Sequence, residues 1–515
     1  MSISRLKNHK FLIASVIVMF VFYLWMACQI PYTHDDWDWG LNIGLNHLLT
    51  ADINNRFSGN FIEVVITRSV IAKSLVMAFV FTFIPFVATL FASKVIYLNE
   101  SDHADLFSAG VFGAANILIL FIPVDVWQQT NGWIAGFSNF VVSGLSLVLF
   151  FFILARSTSS EVNKKGYVFR VILYVIFGIV SQLFLENLTV FFFIFAVVFV
   201  ILKWKNKTAR KELIPLIAGL LIGAVIMFSN NIYSSLIHTG YAIGTYRQMM
   251  YDPSKPFYVF VADSAKRFFG EFVPQIVTHQ GITVGSISLV MTLIMLKKVK
   301  NKLAVYCLGL VNVVFSLYYM ATSLAAILLG LGMIEGSLMT TVIDCACIIL
   351  IAAETVLAFK NEKKLMTWLL ALWFSPYLMM APMLLINTVG PRCYYTTNLC
   401  LIVFGITVLG YLLSRNKEKQ SMVCLAVLAV ILIGSLVRWV IVYKPIGDAS
   451  RARARQIEEA VANGDKKIVF AEYPNSEYLW IPDPDGSEPE RIIWFQAFYN
   501  IPSDIEVEFE SWLNQ

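Results

Sequence analysis

The sequence predicts an all-α polytopic membrane protein of about 13 transmembrane helices, followed by a small C-terminal extracytoplasmic α/β domain. Three observations predict it. Of 515 residues, 58% are hydrophobic and only 14% charged, with mean hydropathy +0.70, whereas a soluble domain carries about 25% charged residues. The apolar residues fall in long runs of the roughly 20 needed to cross about 30 Å of hydrocarbon. Nearly every second connection between runs is short and basic, as expected of loops kept on the cytoplasmic side.

The first helix is expected over 11–30, entering from the cytoplasmic side because Arg5, Lys7 and Lys10 precede it. Its apolar run is too long for a signal peptide and lacks a small-x-small cleavage site, so it reads as retained. Helices follow at about 74–97, 106–123 and 139–155. Two more lie either side of the tight turn Leu185-Glu186-Asn187, and then come 213–229, 281–296, 303–321, 338–359, 365–386, 397–413 and 421–442. Basic loops at Arg156–Arg170, Lys203–Lys211, Lys297–Lys302, Lys360–Lys364 and Arg415–Lys419 alternate with these runs. The turn holding Glu100, Asp102 and Asp105 says little about its side. The Gly-rich stretch 322–337 reads as re-entrant, and 61–70 as an amphipathic helix lying along the membrane surface.

The domains expected are therefore a transmembrane part, 1–443, with external loops 31–73 and 230–280, and an external part, 444–515. In the external part, 449–462 reads as a helix stopped by Asn463-Gly464 and 467–471 as a strand; five prolines break up the rest. From Lys444 to Gln515 there are 7 Lys/Arg and 14 Asp/Glu, a net of −7, so +12 of the overall +5 balance lies in the rest. That basic excess sits in short loops and reports orientation, not nucleic-acid binding. It places the chain in the cell membrane as a multi-pass protein, N-terminus cytoplasmic and C-terminus extracytoplasmic. The seven cysteines lie mostly in apolar runs and form no disulfide framework or metal spacing.

Chemistry is concentrated just after the first helix, in Thr33-His34-Asp35-Asp36-Trp37-Asp38-Trp39-Gly40. Carboxylates beside aromatic rings at a membrane surface can move a proton, hold a metal or bind a sugar. The plainer reading is a solvated loop with Trp37 and Trp39 in an interfacial belt. Glu186, Arg56, Asn131 and Arg392 fall on the same predicted side. Glu186 is either a second acid of that cavity or a helix cap, and Arg392 either a forked phosphate ligand or an interfacial anchor. Asp344 and Glu354 lie within one apolar run, where acids are costly and often functional. There is no His-x-x-x-His pair, no P-loop and no Gly-rich nucleotide fingerprint.

This layout resembles the GT-C class of integral-membrane glycosyltransferases. It is closer to an uncharacterised bacterial polytopic family with Asp-Asp-Trp after the first helix, Glu-Asn near helices 5–6 and Pro-Arg before a late helix. Here these are Asp35-Asp36-Trp37, Glu186-Asn187 and Pro391-Arg392. The resemblance implies a polyprenyl-phosphate-linked sugar donor, a glycan acceptor and a site at the outer leaflet. Asp36, then Asp35, is the expected general base, with Glu186 as second acid or orienting group. Arg392 is expected on the phosphate; Trp37, Asp38, Asn131 and Arg56 would line the substrate. A divalent metal on Asp35 and Asp38 is an open alternative, and no other cofactor is implied. The competing functions are a transporter or flippase of a lipid-linked glycan, using Asp344 and Glu354, and a non-catalytic scaffold of envelope assembly.

Overall fold

A computed structural model describes residues 10–96, 104–157, 166–240, 248–252, 254–329, 336–387, 389–415, 418–484 and 488–510. Among them, ten helices are long and apolar enough to cross a membrane. Three shorter apolar helices, Ala104–Leu120, Tyr167–Gln182 and Glu186–Leu202, occupy other segments expected as helices. The chain is thus an all-α polytopic membrane protein. Arg5, Lys7, Glu100, Asp102, Lys164, Lys165, Arg247 and Lys417 lie outside the described residues.

The centre of the bundle is Tyr395–Arg415, buried along nearly its whole length. Val70–Ile96 runs against it and beside Lys10–Gln29, and Ile134–Ser157 completes this inner group. Helices further out turn Val, Ile, Leu and Phe outwards: Ile201 is 63% exposed, Val225 64% and Leu317 66%. A soluble protein rarely exposes such continuous apolar surface; here it meets lipid tails.

Several boundaries differ from expectation. The first connection is shorter than 31–73, because one helix ends at Gln29 and the next begins at Val70. Between them lie Asp36–Gly40, Asn42–Thr50 and Phe57–Thr67. The last replaces the surface helix expected over 61–70, and it buries Asn60, Glu63 and Thr67 together with Val64 and Ile66 while Phe61 and Val65 are exposed. A polar stripe turned inwards means that the protein interior at this level is polar. Lys302–Leu329 is one helix, so 322–329 is not re-entrant; residues 330–335 lie outside the description. Much of 230–280 is helical, with Asn231–Thr239, Phe257–Arg267 and the turns leading into Gly281–Lys298.

The helix boundary expected near 443/444 also differs. The helices expected over 421–442 and 449–462 are one helix, Glu418–Asn463, with Pro445 inside it. Proline removes one ladder hydrogen bond and bends a helix, but does not end one that is held on both sides. Asn475 donates to the Val442 carbonyl beside that bend (2.9 Å), and Tyr443 and Ile446 are buried around it. Beyond Asn463 the strand Lys467–Phe470 pairs in parallel with Glu506–Phe509, joined through the helix Pro489–Phe498. This segment lies directly on the Asp-Asp-Trp loop. The Phe495 ring meets the Trp37 ring edge-on at 5.2 Å. A Cβ on Gly40 would fall 2.3 Å from the Phe498 ring, and one on Gly132 would fall 2.0 Å from the Tyr478 carbonyl. Both glycines are there because the C-terminal segment comes too close for any side chain.

Candidate active site at one end of the bundle

The motif is built as a frame for the helix that begins at Ile134. The first four N–H groups of any helix have no partner within it. Asp36 supplies one from outside: its Oδ1 accepts the Ala135 N–H (2.9 Å), and its Oδ2 accepts those of Ile134 (3.3 Å) and Thr33 (2.8 Å). Asp36 is completely buried. The residue first expected as the base is therefore occupied on both oxygens by backbone donors. Arg68 closes the far side of the motif, donating to the carbonyls of Val64 (2.6 Å), Trp39 (2.9 Å) and Leu41.

Asp35, one residue earlier, is placed differently. It is partly exposed, and Trp133 Nε1 donates to its Oδ1 (2.8 Å). His34 Nδ1 stands 3.0 Å from the same oxygen. His34 is held at φ 54°, a left-handed conformation uncommon outside glycine. Its ring lies 5.8 Å from Trp133 and 6.2 Å from Trp480, and the two indoles are 6.1 Å apart. The Arg392 guanidinium lies 5.6 Å from the centre of the Trp133 ring. One indole thus connects an acid from the front of the chain with a guanidinium from near its end.

A second charged group adjoins. Arg56 grips Glu186 with two nitrogens (3.2 and 2.6 Å), and the Tyr233 hydroxyl donates to Glu186 (2.7 Å). Glu186 opens its helix, where a negative charge is favoured by the helix dipole. The Cys393 thiol lies within electrostatic reach of Arg392, Arg56 and Glu186, so the two groups share one end of the bundle. Asn131 is fully buried and donates to Thr130 with its side-chain amide (3.1 Å), while its Oδ1 finds no donor among the described residues. Trp37 is also fully buried, so it supports the motif from behind.

The carboxyl groups divide by charge. Burial pushes Asp35 upwards, but His34, the Trp133 indole and Arg491 together hold it below the usual carboxylate range. Burial, then the Asp35 charge, raises Asp36 well above that range against its three N–H donors. Burial and Asp35 likewise push Asp38 up to about 8 and raise Glu63 well above its usual value. Asp38 Oδ1 and Glu63 Oε1 are buried and have no hydrogen-bond partner among the described residues. Like charges so close cannot all ionise, and the negative charge is concentrated on the partly exposed Asp35. Among the described residues no group of three or more His, Cys, Asp or Glu is arranged to hold a metal ion.

The Asp38 proton gives a stability test. Folded protein keeps it to about pH 8, whereas an unfolded chain releases it near pH 4. Between those values the native state binds more protons, so this contribution is complete below about pH 4 and is lost as pH rises towards 8. The unfolding midpoint in one detergent is expected to be higher at pH 6 than at pH 8.5. Asp38→Asn should flatten that dependence.

Asp344 and Glu354 take no part in this cluster. Asp344 accepts from Thr278 (2.7 Å) and Tyr319 (2.9 Å), and Glu354 from Asn312 (2.7 Å). Sequence reasoning missed Trp133, Trp480, Glu63, Tyr233 and Arg491 as site residues. They stand singly in unrelated segments, and no spacing joins them. No protein-family model, curated protein or solved structure matches the chain.

Proposed function

We propose that the chain is a membrane glycosyltransferase of the GT-C kind. It takes a sugar from a polyprenyl-phosphate donor at the outer face of the cytoplasmic membrane and passes it to a hydroxyl of a cell-surface glycan. In this reading all thirteen apolar helices cross the bilayer. The N-terminus is cytoplasmic, and the segment after Asn463 covers the site outside.

The observation that carries the reading is the Trp133 indole, bonded to Asp35 on one side and covered by Arg392 on the other. Sugar transfer needs a base at the acceptor hydroxyl and a cation where the phosphate departs. Asp35 is the base, because it is the ionised and partly exposed carboxylate of the motif. As the acceptor oxygen attacks the anomeric carbon, its proton passes to Asp35. The bond from that carbon to the phosphate oxygen breaks, and Arg392 meets the charge left on the phosphate with its forked donors. The faces of Trp133 and Trp480 suit the apolar side of a sugar ring. Asp36 holds the frame, and Glu186 fixes Arg56. A flippase would use Asp344 and Glu354 instead; each is already bonded across helices, which favours a role in holding them together.

The test is the surface-glycan profile of a strain lacking this chain. A component should be missing, and should return with the wild-type chain but not with Asp35→Asn at equal membrane level. An unchanged profile in the deletion strain would remove the reading.

A further inference from the structure

We infer that the end of the bundle opposite the motif carries a binding site for one anionic phospholipid. The site is the cleft between Glu186–Leu202 and Lys363–Met380. These helices run the full depth of the bundle: near the motif, Asn187 donates to the Met379 carbonyl (3.4 Å), and their other ends carry Lys203 and Lys364. Between those ends is a cavity of about 350 Å³, walled by Phe195, Phe199, Trp368 and Ala371 and with Lys203 and Lys364 at its mouth. Small-molecule sites have volumes of about 300–1,000 Å³.

Two features choose the occupant. The wall is hydrocarbon: Phe199 and Trp368 lie 5.5 Å apart, and the adjoining Val198 and Leu202 are exposed to lipid. A peptide laid there would leave backbone N–H and C=O groups without partners, a cost an acyl chain does not carry. The mouth is cationic, because Lys203 and Lys364 line it, and Lys205, Lys207 and Arg210 follow Lys203 in the sequence. Basic pockets between membrane helices recognise anionic headgroups. A zwitterionic headgroup would bring its own cation against these lysines. The acyl chain therefore lies along Phe195, Phe199 and Trp368, and the phosphate sits between Lys203 and Lys364. None of this depends on the chemistry at the other end.

Purified full-length protein in detergent, titrated with dioleoylphosphatidylglycerol and followed by native mass spectrometry, tests the site. One phosphatidylglycerol should bind in preference to dioleoylphosphatidylcholine, and inorganic phosphate should not displace it. Each surface lysine contributes about fivefold, so Lys203→Ala with Lys364→Ala should weaken binding about 25-fold. Ala371→Trp should block the cleft with both lysines in place, and Lys444→Ala, outside the cleft, should change nothing. Equal retention of the two lipids would overturn the proposal. So would phosphatidylglycerol bound as tightly by the double lysine variant, or displacement by free phosphate. The lysine variant keeps the test decisive if the tryptophan variant fails to fold.

Discussion

Asp35→Asn is expected to lower sugar transfer by a factor of about 10² to 10⁴, the usual contribution of a positioned base. The amount of protein in the membrane should not change. Asn keeps an oxygen in the place of Oδ1, so the Trp133 indole retains its acceptor, and the side chain is partly exposed. What is lost is the negative charge. Asp35 is held below the ordinary carboxylate range, so wild-type activity should stay level from neutral to mildly acid pH and fall only when Asp35 itself is protonated. Membrane-extract transfer rates, normalised to protein level, read this directly. A full rate in Asp35→Asn would move the base elsewhere.

Asp36→Ala is expected to do the opposite: little folded protein, with no clean kinetic defect. The substitution leaves three buried N–H groups, on Thr33, Ile134 and Ala135, without an acceptor. Each such group costs about 1–3 kcal/mol, against a total stability of about 5–15 kcal/mol. The start of Ile134–Ser157 should loosen, carrying Trp133 away from both Asp35 and Arg392. Thermal unfolding in detergent should begin well below the wild type, and protease should cut near residue 133 first. Wild-type stability with lost activity would instead make Asp36 the chemical group.

The two neighbouring aspartates show how far the sequence could be read. Their place after the first helix, the basic loops and the apolar runs were all legible, because each is a local property of composition or spacing. Which aspartate is taken up by backbone donors was not, since that depends on the N–H groups of Ile134 and Ala135, about a hundred residues away. Asp36 was preferred on motif position alone. Arg392 was legible as a forked cation in a short loop, but the Trp133 beneath it was only one aromatic among many. The break expected between residues 442 and 449 does not occur; packing of Tyr443 and Ile446 carries the helix through Pro445. The helix Phe57–Thr67 shows the same limit. Its amphipathic pattern fits a surface helix, and only the packing shows that Asn60, Glu63 and Thr67 also turn in.

The most direct measurement is donor turnover by the purified full chain. Protein in detergent is incubated with a panel of polyprenyl-phosphate-linked sugars, and release of free polyprenyl phosphate is followed. The account predicts release from at least one donor by the wild type, and at most about a hundredth of that rate from Asp35→Asn. Release at the same rate by Asp35→Asn, or none from any donor by folded wild-type protein, would contradict it.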